Sequence, residues 1–118
     1  MEAIIENNRQ RIAELCRQYH VKTLYVFGSV VNGDFTDESD VDLLYEFDYT
    51  GFDFNDTKNA PYNPFLVFFD LKDALEELFK RKVDLIPYQD FKNIYFKREV
   101  EKTKQLLYGA ERFEKILA

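Results

Sequence analysis

The spacing of apolar residues changes along this chain, and each change marks a different predicted element. Over residues 2–19, apolar side chains recur at helical spacing between Glu, Arg and Gln, which predicts an amphipathic helix. Three short stretches rich in apolar residues, 22–28, 40–47 and 82–88, are typical of strands and contain or adjoin Gly, Asp or Pro at their ends. The pattern therefore predicts one helix followed by two strands, with a third strand further along.

Two further helices and a long loop complete the predicted order. Residues 64–80 carry an apolar stripe, and Pro64 suits the first turn of a helix. A last helix follows the third strand and would end at Gly109; one of its faces is formed by Phe96, Val100, Thr103 and Leu107. Residues 48–63 have no clean period, which predicts a loop, and a loop of this length in a small domain is usually functional or mobile.

Composition narrows the class of protein. With 118 residues, of which 46% are hydrophobic, we expect one domain spanning residues 1–118 around one core. The net charge of −6 repels a phosphate backbone, which argues against a long nucleic acid as the main partner. No apolar run approaches membrane-spanning length, and the start "MEAIIENNRQ" lacks the basic flank and apolar core of a signal peptide. We therefore expect a cytoplasmic protein that does not contact a membrane.

The only cysteine and the only histidine have structural explanations. Cys16 lies on the apolar face of the first helix, so we expect it to pack in the core, and one cysteine excludes an internal disulfide. His20 falls at the predicted end of that helix, where a cation or a hydrogen-bonding group suits the helix terminus. A Ser-His-Asp site is therefore not expected.

Three aspartates form the candidate metal site. Asp40 and Asp42 stand at the start of the second strand and point to one face, while Val41 and Leu43 point to the core. A divalent cation would remove the repulsion between the two carboxylates, and oxygen ligands favour Mg²⁺ or Mn²⁺ over zinc. Asp84 joins them on that face if the third strand lies beside the second. Three carboxylates can hold two metal ions about 4 Å apart, the arrangement used in phosphoryl transfer.

A Gly-Ser pair supplies a candidate phosphate site. Gly28 and Ser29 follow the first strand, where a glycine allows close approach and the N–H groups at a helix start favour anions. Gly33 would let the loop turn back. Gly-Ser alone is an ordinary turn and helix cap, and Asp-x-Asp alone also occurs in turns and in sugar-nucleotide transferases. Their combination with a third acid on a later strand is far more specific.

These residues resemble the DNA polymerase β-like nucleotidyltransferase superfamily, whose motif is Gly-Ser, about ten residues, Asp-x-Asp, and a later acid. The chain length and the segments "GSVVNG…SDVDLL…RKVDLI" are similar to those of the minimal nucleotidyltransferases (MNT). The segment "YFKREVEKTKQLLYG" near the end of the chain is also similar to theirs. The resemblance implies an α+β fold with a small mixed β-sheet of the palm type, flanked by helices. It also implies transfer of a nucleoside monophosphate from a triphosphate to a hydroxyl, with release of pyrophosphate.

The resemblance also implies a partner and a role for each site residue. Many minimal members are paired with a helical HEPN toxin and act as antitoxins by adding AMP from ATP to a toxin tyrosine. In that case the three aspartates hold two Mg²⁺ ions, and Asp84 also accepts the proton of the incoming hydroxyl or merely shapes the electrostatics of the other two acids. Many relatives carry Arg after Gly-Ser, where this chain has Val-Val-Asn, so positive charge would come from the metal or from residues 80–82.

Two alternative functions and one partner surface follow from the sequence. The alternatives are an enzyme that modifies a small molecule such as an aminoglycoside, and a non-catalytic antitoxin that only masks its partner. Nine aromatic residues lie between positions 45 and 69: Tyr45, Phe47, Tyr49, Phe52, Phe54, Tyr62, Phe65, Phe68 and Phe69. Of these, Phe52 and Phe54 lie in the acidic loop. They either fold back over the sheet edge or dock a basic partner.

Overall fold

A mixed sheet of four strands, with helices on both faces, organises the chain. The structure is a computed structural model and describes residues 1–56, 58 and 63–110. In chain order the elements are α1 (Ala3–Glu6), α2 (Arg9–Gln18), β1 (Val21–Phe27), α3 (Ser29–Asn32), β2 (Val41–Phe47), α4 (Pro64–Phe79), β3 (Val83–Pro87), α5 (Ile94–Thr103) and β4 (Gln105–Tyr108). The three predicted strands and the helix from Pro64 are confirmed, as is the α+β class.

The strand order in the sheet is β3-β2-β1-β4. Strand β1 pairs antiparallel with β2 and with β4, whereas β2 and β3 are parallel and are connected through α4. The starts of β2 and β3 therefore lie at the same end of the sheet as the last residue of β1. Every candidate site residue belongs to this end.

Side chains alternate between the two faces of the sheet and form two apolar cores. One face packs against α2 and α4, with fully buried side chains that include Leu24, Val26, Val41 and Leu43. The opposite face packs against α5 through Tyr25, Phe27, Leu44, Tyr88 and Val100.

Helix α4 begins and ends at residues suited to these positions. The buried Asn63 side chain accepts hydrogen bonds from the N–H groups of Phe65 and Leu66 at 2.9 and 3.3 Å, and Pro64 occupies the first turn. Lys80 ends the helix in the left-handed conformation, with φ of 58°. These caps fix where the chain enters and leaves the crossover between β2 and β3.

The prediction for the last helix is wrong at its end. Helix α5 stops at Thr103, and Leu107 lies in β4, which pairs with the outer edge of β1. Gly109 follows this strand with φ of +89°, and a Cβ there would lie 2.1 Å from the carbonyl oxygen of Lys22. Gly109 therefore ends a strand and not a helix, and only glycine fits this approach to β1.

The first helix also differs from its prediction, because it is interrupted at Asn7 and Asn8. The side-chain amide of Asn8 donates to the carbonyl oxygen of Ile4 at 2.7 Å, a local bond that competes with a continuous helix. Cys16 is fully buried, as expected, and burial raises the pKa of its thiol to about 12. His20 follows the end of α2 with φ of 62°, which confirms its terminal position.

The two loop phenylalanines have different environments. Phe52 is half-buried against the apolar core, and its ring lies 4.7 Å from that of His20 and 5.5 Å from that of Phe47. Phe54 is 59% exposed. Phe52 therefore folds back over the sheet, whereas Phe54 remains at the surface; Tyr62 lies outside the described residues. Among the described residues, none of the helices has the length and apolar content needed to cross a membrane.

Candidate active site

The parallel pairing of β2 and β3 brings two of the three candidate acids side by side. Asp42 is the register partner of Asp84, so the two side chains project from the same face of the sheet. Val41 and Leu43 are fully buried on the other face. Asp40 is exposed and lies immediately before β2. The predicted shared face of Asp42 and Asp84 is therefore present in the structure.

The carboxylates of Asp40 and Asp84 influence that of Asp42. Burial is the main reason that the pKa of Asp42 is raised from 3.8 to about 6, and the negative charges of Asp84 and Asp40 raise it further in that direction. In the part of the chain that the structure describes, no three acidic, His or Cys side chains converge closely enough to ligate one ion together. The acids are nevertheless close enough for the charges of Asp84 and Asp40 to act on Asp42.

Gly28 fits between Asp42 and the end of α5. Its φ is +75°, and a Cβ at this position would lie 2.7 Å from Oδ2 of Asp42, so any larger residue would displace the carboxylate. The N–H of Gly28 donates to Oγ1 of Thr103 at 3.1 Å, and this hydroxyl donates to the carbonyl oxygen of Glu99 at 2.8 Å. The end of α5 therefore holds the glycine against Asp42.

Ser29 and Gly33 lie at opposite ends of α3, which is a single helical turn. Ser29 is half-buried and follows Gly28 directly, and the first N–H groups of a helix have no partner within it. Gly33 ends the turn with φ of +92° in open surroundings. Buried Val30 anchors α3 in the core. The structure therefore places Gly28 against Asp42, with Ser29 next to it in the chain, whereas Gly33 ends the turn.

Arg81 anchors the loop that carries Asp40. Its Nη1 donates to the carbonyl oxygens of Thr36 and Ser39 at 2.9 and 2.8 Å, and its guanidinium lies 4.4 Å from the ring centroid of Phe35. Arg81 stands three residues before Asp84, so these contacts join the chain on either side of the site. The sequence indicated only a positive charge near a helix end, and it gave no signal for this loop contact or for the bond between Thr103 and Gly28.

The sequence of the chain matches the family described as Polymerase beta, Nucleotidyltransferase over residues 10–113. The chain therefore belongs to this family and is a nucleotidyltransferase, which confirms the resemblance seen in its motifs. It is 34% identical over 91 residues to MJ1379 of Methanocaldococcus jannaschii, an inferred protein adenylyltransferase, and the match covers 77% of this chain and 79% of that protein.

Two solved structures share the fold. A crystal structure of a toxin–antitoxin with AMP-PNP superimposes with a TM-score of 0.60 at 21% identity, covering 88% of this chain and 75% of the other. The tri-AMPylated HEPN toxin of Shewanella oneidensis in complex with an MNT antitoxin gives a TM-score of 0.54 at 19% identity, covering 89% and 72%. These likenesses agree with the predicted mixed sheet flanked by helices.

Proposed function

We propose that this nucleotidyltransferase transfers AMP from ATP to a tyrosine hydroxyl of a HEPN-type toxin, and that it acts in the cytoplasm as the antitoxin. The observation that carries the proposal is the pairing of Asp42 with Asp84, with Gly28 in contact with Asp42. The name of MJ1379 supports a protein substrate, and the two similar structures support ATP and a HEPN partner.

The donor set fits divalent cations. Asp40, Asp42 and Asp84 offer carboxylate oxygens only, the ligands that Mg²⁺ and Mn²⁺ prefer. Burial and the negative charges of Asp84 and Asp40 raise the pKa of Asp42, and a bound cation would offset both effects. The absence of a side chain at Gly28 keeps the space beside Asp42 open. We propose that the three aspartates hold two ions, which when bound neutralise the developing charge on the phosphate.

The residues of the chain have distinct tasks in this reaction. The hydroxyl of Ser29 and the N–H groups at the start of α3 bind phosphate oxygens of ATP. Asp84 is exposed whereas its register partner Asp42 is half-buried, so an acceptor hydroxyl can reach Asp84, which accepts the proton. The hydroxyl oxygen then bonds to the α-phosphorus, the bond from that phosphorus to the bridging oxygen breaks, and pyrophosphate leaves.

The proposal is tested by incubating the chain with α-labelled ATP, Mg²⁺ and a purified HEPN-type protein from the same genome. Wild type should label that protein, and Asp42→Asn should lower the rate by about 10³-fold or more because it removes a carboxylate ligand. Asp37→Asn is the control, since it removes an exposed aspartate from the loop that precedes β2. Wild-type turnover by Asp42→Asn would overturn the proposed chemistry.

The same assay separates the roles of the acids and the alternative functions. Asp84→Asn should lose transfer but keep most of its ATP binding, whereas an equal loss of ATP binding in Asp84→Asn and Asp42→Asn would contradict the role of Asp84 as base. Label on an added aminoglycoside would favour the small-molecule enzyme. Tight binding of the HEPN-type protein without label would favour an antitoxin that only masks its partner.

A further inference from the structure

Aromatic side chains form an open groove of about 360 Å³ at the end of the sheet opposite to the acids. Its walls include Tyr45, Tyr49, Phe54, Phe65, Phe68 and Phe69. Phe65 and Phe69, on the first turns of α4, are 72% and 60% exposed. A contiguous exposed patch of large apolar side chains is unusual on a protein surface unless it binds something. We call this surface the aromatic groove.

The groove has preformed walls although its rings are exposed. The ring of Tyr49 stacks on that of Phe54 with centroids 6.0 Å apart, and the ring of Phe68 contacts those of Tyr45 and Phe69 at 5.6 and 5.1 Å. These contacts restrict the rotamers of the side chains. Binding of a ligand would therefore cost little conformational entropy of the groove.

The net negative charge of the chain is concentrated in the segment that forms this groove. Residues 45–79 contain eight acidic residues and two lysines, which gives a net charge of −6, and the whole chain has the same net charge. The remainder of the chain is therefore neutral. A second copy of this chain would bring like charge to like charge, whereas a basic partner would be attracted.

The aromatic groove and the acids lie on opposite faces of the sheet, and both reach its β3 edge. Tyr45 lies three residues after Asp42 in β2, and Pro87, which also lines the groove, lies three residues after Asp84 in β3. Three residues of a strand span roughly 10 Å. A protein docked in the groove would therefore extend round the β3 edge of the sheet to bring its acceptor hydroxyl to the carboxylates.

We propose that the aromatic groove is the docking surface for the acceptor protein, and that this protein presents apolar side chains flanked by lysine or arginine. The inference rests on the proposed function and adds the chemistry of the partner surface. Docking at the groove raises the local concentration of the acceptor hydroxyl at the acids. Phe52 has no part in docking because it is packed between His20 and Phe47.

The first test removes the exposed rings. Phe65→Ala with Phe69→Ala should raise the Kd for the purified HEPN-type protein at least tenfold in calorimetric titration, and should leave kcat at saturating partner unchanged. The matched control is Ile94→Ala with Tyr95→Ala, which removes two side chains of α5 that are 51% and 78% exposed. An unchanged Kd in the Phe65 and Phe69 variant, with its circular dichroism spectrum and Tm at wild-type values, would overturn the assignment.

The second test addresses charge. Asp70→Asn with Asp73→Asn removes two exposed carboxylates of α4, and it should slow association and weaken its dependence on salt. If the wild-type chain self-associates and the Phe65 and Phe69 variant does not, the occupant is a second copy and the proposal is wrong. Absence of any binding between wild type and the HEPN-type protein would also overturn it.

Failure of docking and failure of the proposed function give different results. If wild type binds the HEPN-type protein through the groove but transfers no AMP, the proposed function fails and the docking surface stands. If wild type transfers AMP and the groove variant binds and transfers as well as wild type does at limiting partner, the docking surface fails and the function stands.

Discussion

The two ends of the sheet differ in the interactions of their side chains. At the carboxylate end, Asp42 is placed near two other acids, and Gly28 adopts a backbone conformation that other residues rarely take. At the aromatic end, Phe47 is 6% exposed and its ring contacts three other rings. One end therefore maintains an arrangement that is unfavourable in the free protein, and the other contributes packing. Substitutions at the first end should mainly alter catalysis, and substitutions of buried residues such as Phe47 at the second should mainly alter stability.

Among the substitutions that test this comparison, the largest effect should come from Gly28→Ala. A methyl group 2.7 Å from Oδ2 of Asp42 must displace that carboxylate, so we expect AMP transfer to fall by about 10³-fold. The unfolding free energy should fall by about 2 kcal/mol, because alanine at positive φ is strained. Labelled ATP and urea denaturation measure the two effects.

Gly33→Ala is the control for Gly28→Ala, since Gly33 also has positive φ but no heavy atom within 4 Å of its missing Cβ. It should lose a similar amount of stability and retain most of its activity. Equal activity losses in the two variants would show that backbone strain matters and that contact with Asp42 does not.

The second prediction concerns Phe47 at the aromatic end. Phe47→Ala should lower the unfolding free energy by about 3 kcal/mol, because it leaves a cavity among Tyr45, Tyr49 and Phe52. The transfer rate per folded molecule at saturating partner should remain near that of wild type. Phe47→Leu, which fills most of the cavity, should lose about half as much. A loss of kcat in Phe47→Ala without a loss of stability would contradict the view that this end of the sheet contributes packing and not catalysis.

The third prediction tests whether Arg81 positions the loop before Asp40 or binds triphosphate. Arg81→Ala loses two hydrogen bonds to carbonyl oxygens and the contact with Phe35, so stability should fall by about 1–2 kcal/mol and transfer by roughly tenfold. Arg81→Lys should recover only part of both, since a lysine cannot reproduce the paired geometry. An increase in the KM for ATP in Arg81→Ala, with stability unchanged, would instead indicate phosphate binding.

The smallest effect is a stability gain in Asp42→Asn without metal. The pKa of Asp42 is about 6 when folded and 3.8 is the ordinary value, so the folded state binds more protons between these limits and stability falls as the pH rises through them. Asn cannot ionise, so the variant should be more stable than wild type by about 1 kcal/mol at a pH of about 7.5, a value reduced because the side chain is half-exposed.

At a pH of about 3.5, below both values, the difference between Asp42→Asn and wild type should vanish. Thermal unfolding at the two pH values, in the presence of a chelator, measures the gain. A variant that is less stable than wild type at the higher pH would mean that the carboxylate contributes bonds that outweigh its repulsion.

Sequence reasoning succeeded where residues of one segment decide the structure. The helix from Pro64 follows from its cap and its apolar stripe, and the strand containing Asp42 follows from alternation with buried Val41 and Leu43. It failed at Leu107, because the run 105–108 fits a helical stripe as well as a strand. Residues 105–108 form a strand because they pair with the edge of β1, which is distant in sequence.

The candidate site was likewise predictable only where the pattern within a segment decides the structure. The alignment of Asp42 with Asp84 could be predicted once the two strands were taken as neighbours, because both runs of the sequence have the same pattern. The contacts of Thr103 with Gly28 and of Arg81 with Ser39 join segments 75 and 42 residues apart. A single sequence carries no local signal for such bonds, since each residue has an ordinary explanation in its own segment.

The parallel pairing of β2 with β3 has a consequence for folding. Asp42 and Asp84 lie on opposite sides of the α4 crossover, so they meet only after the loop between them has closed and α4 has packed. During synthesis, Asp84 leaves the ribosome well after Asp42, and a partly folded chain lacks the aligned pair of acids. The capacity to transfer AMP would then be acquired late, in one step, and nascent or unfolded molecules would not modify other proteins.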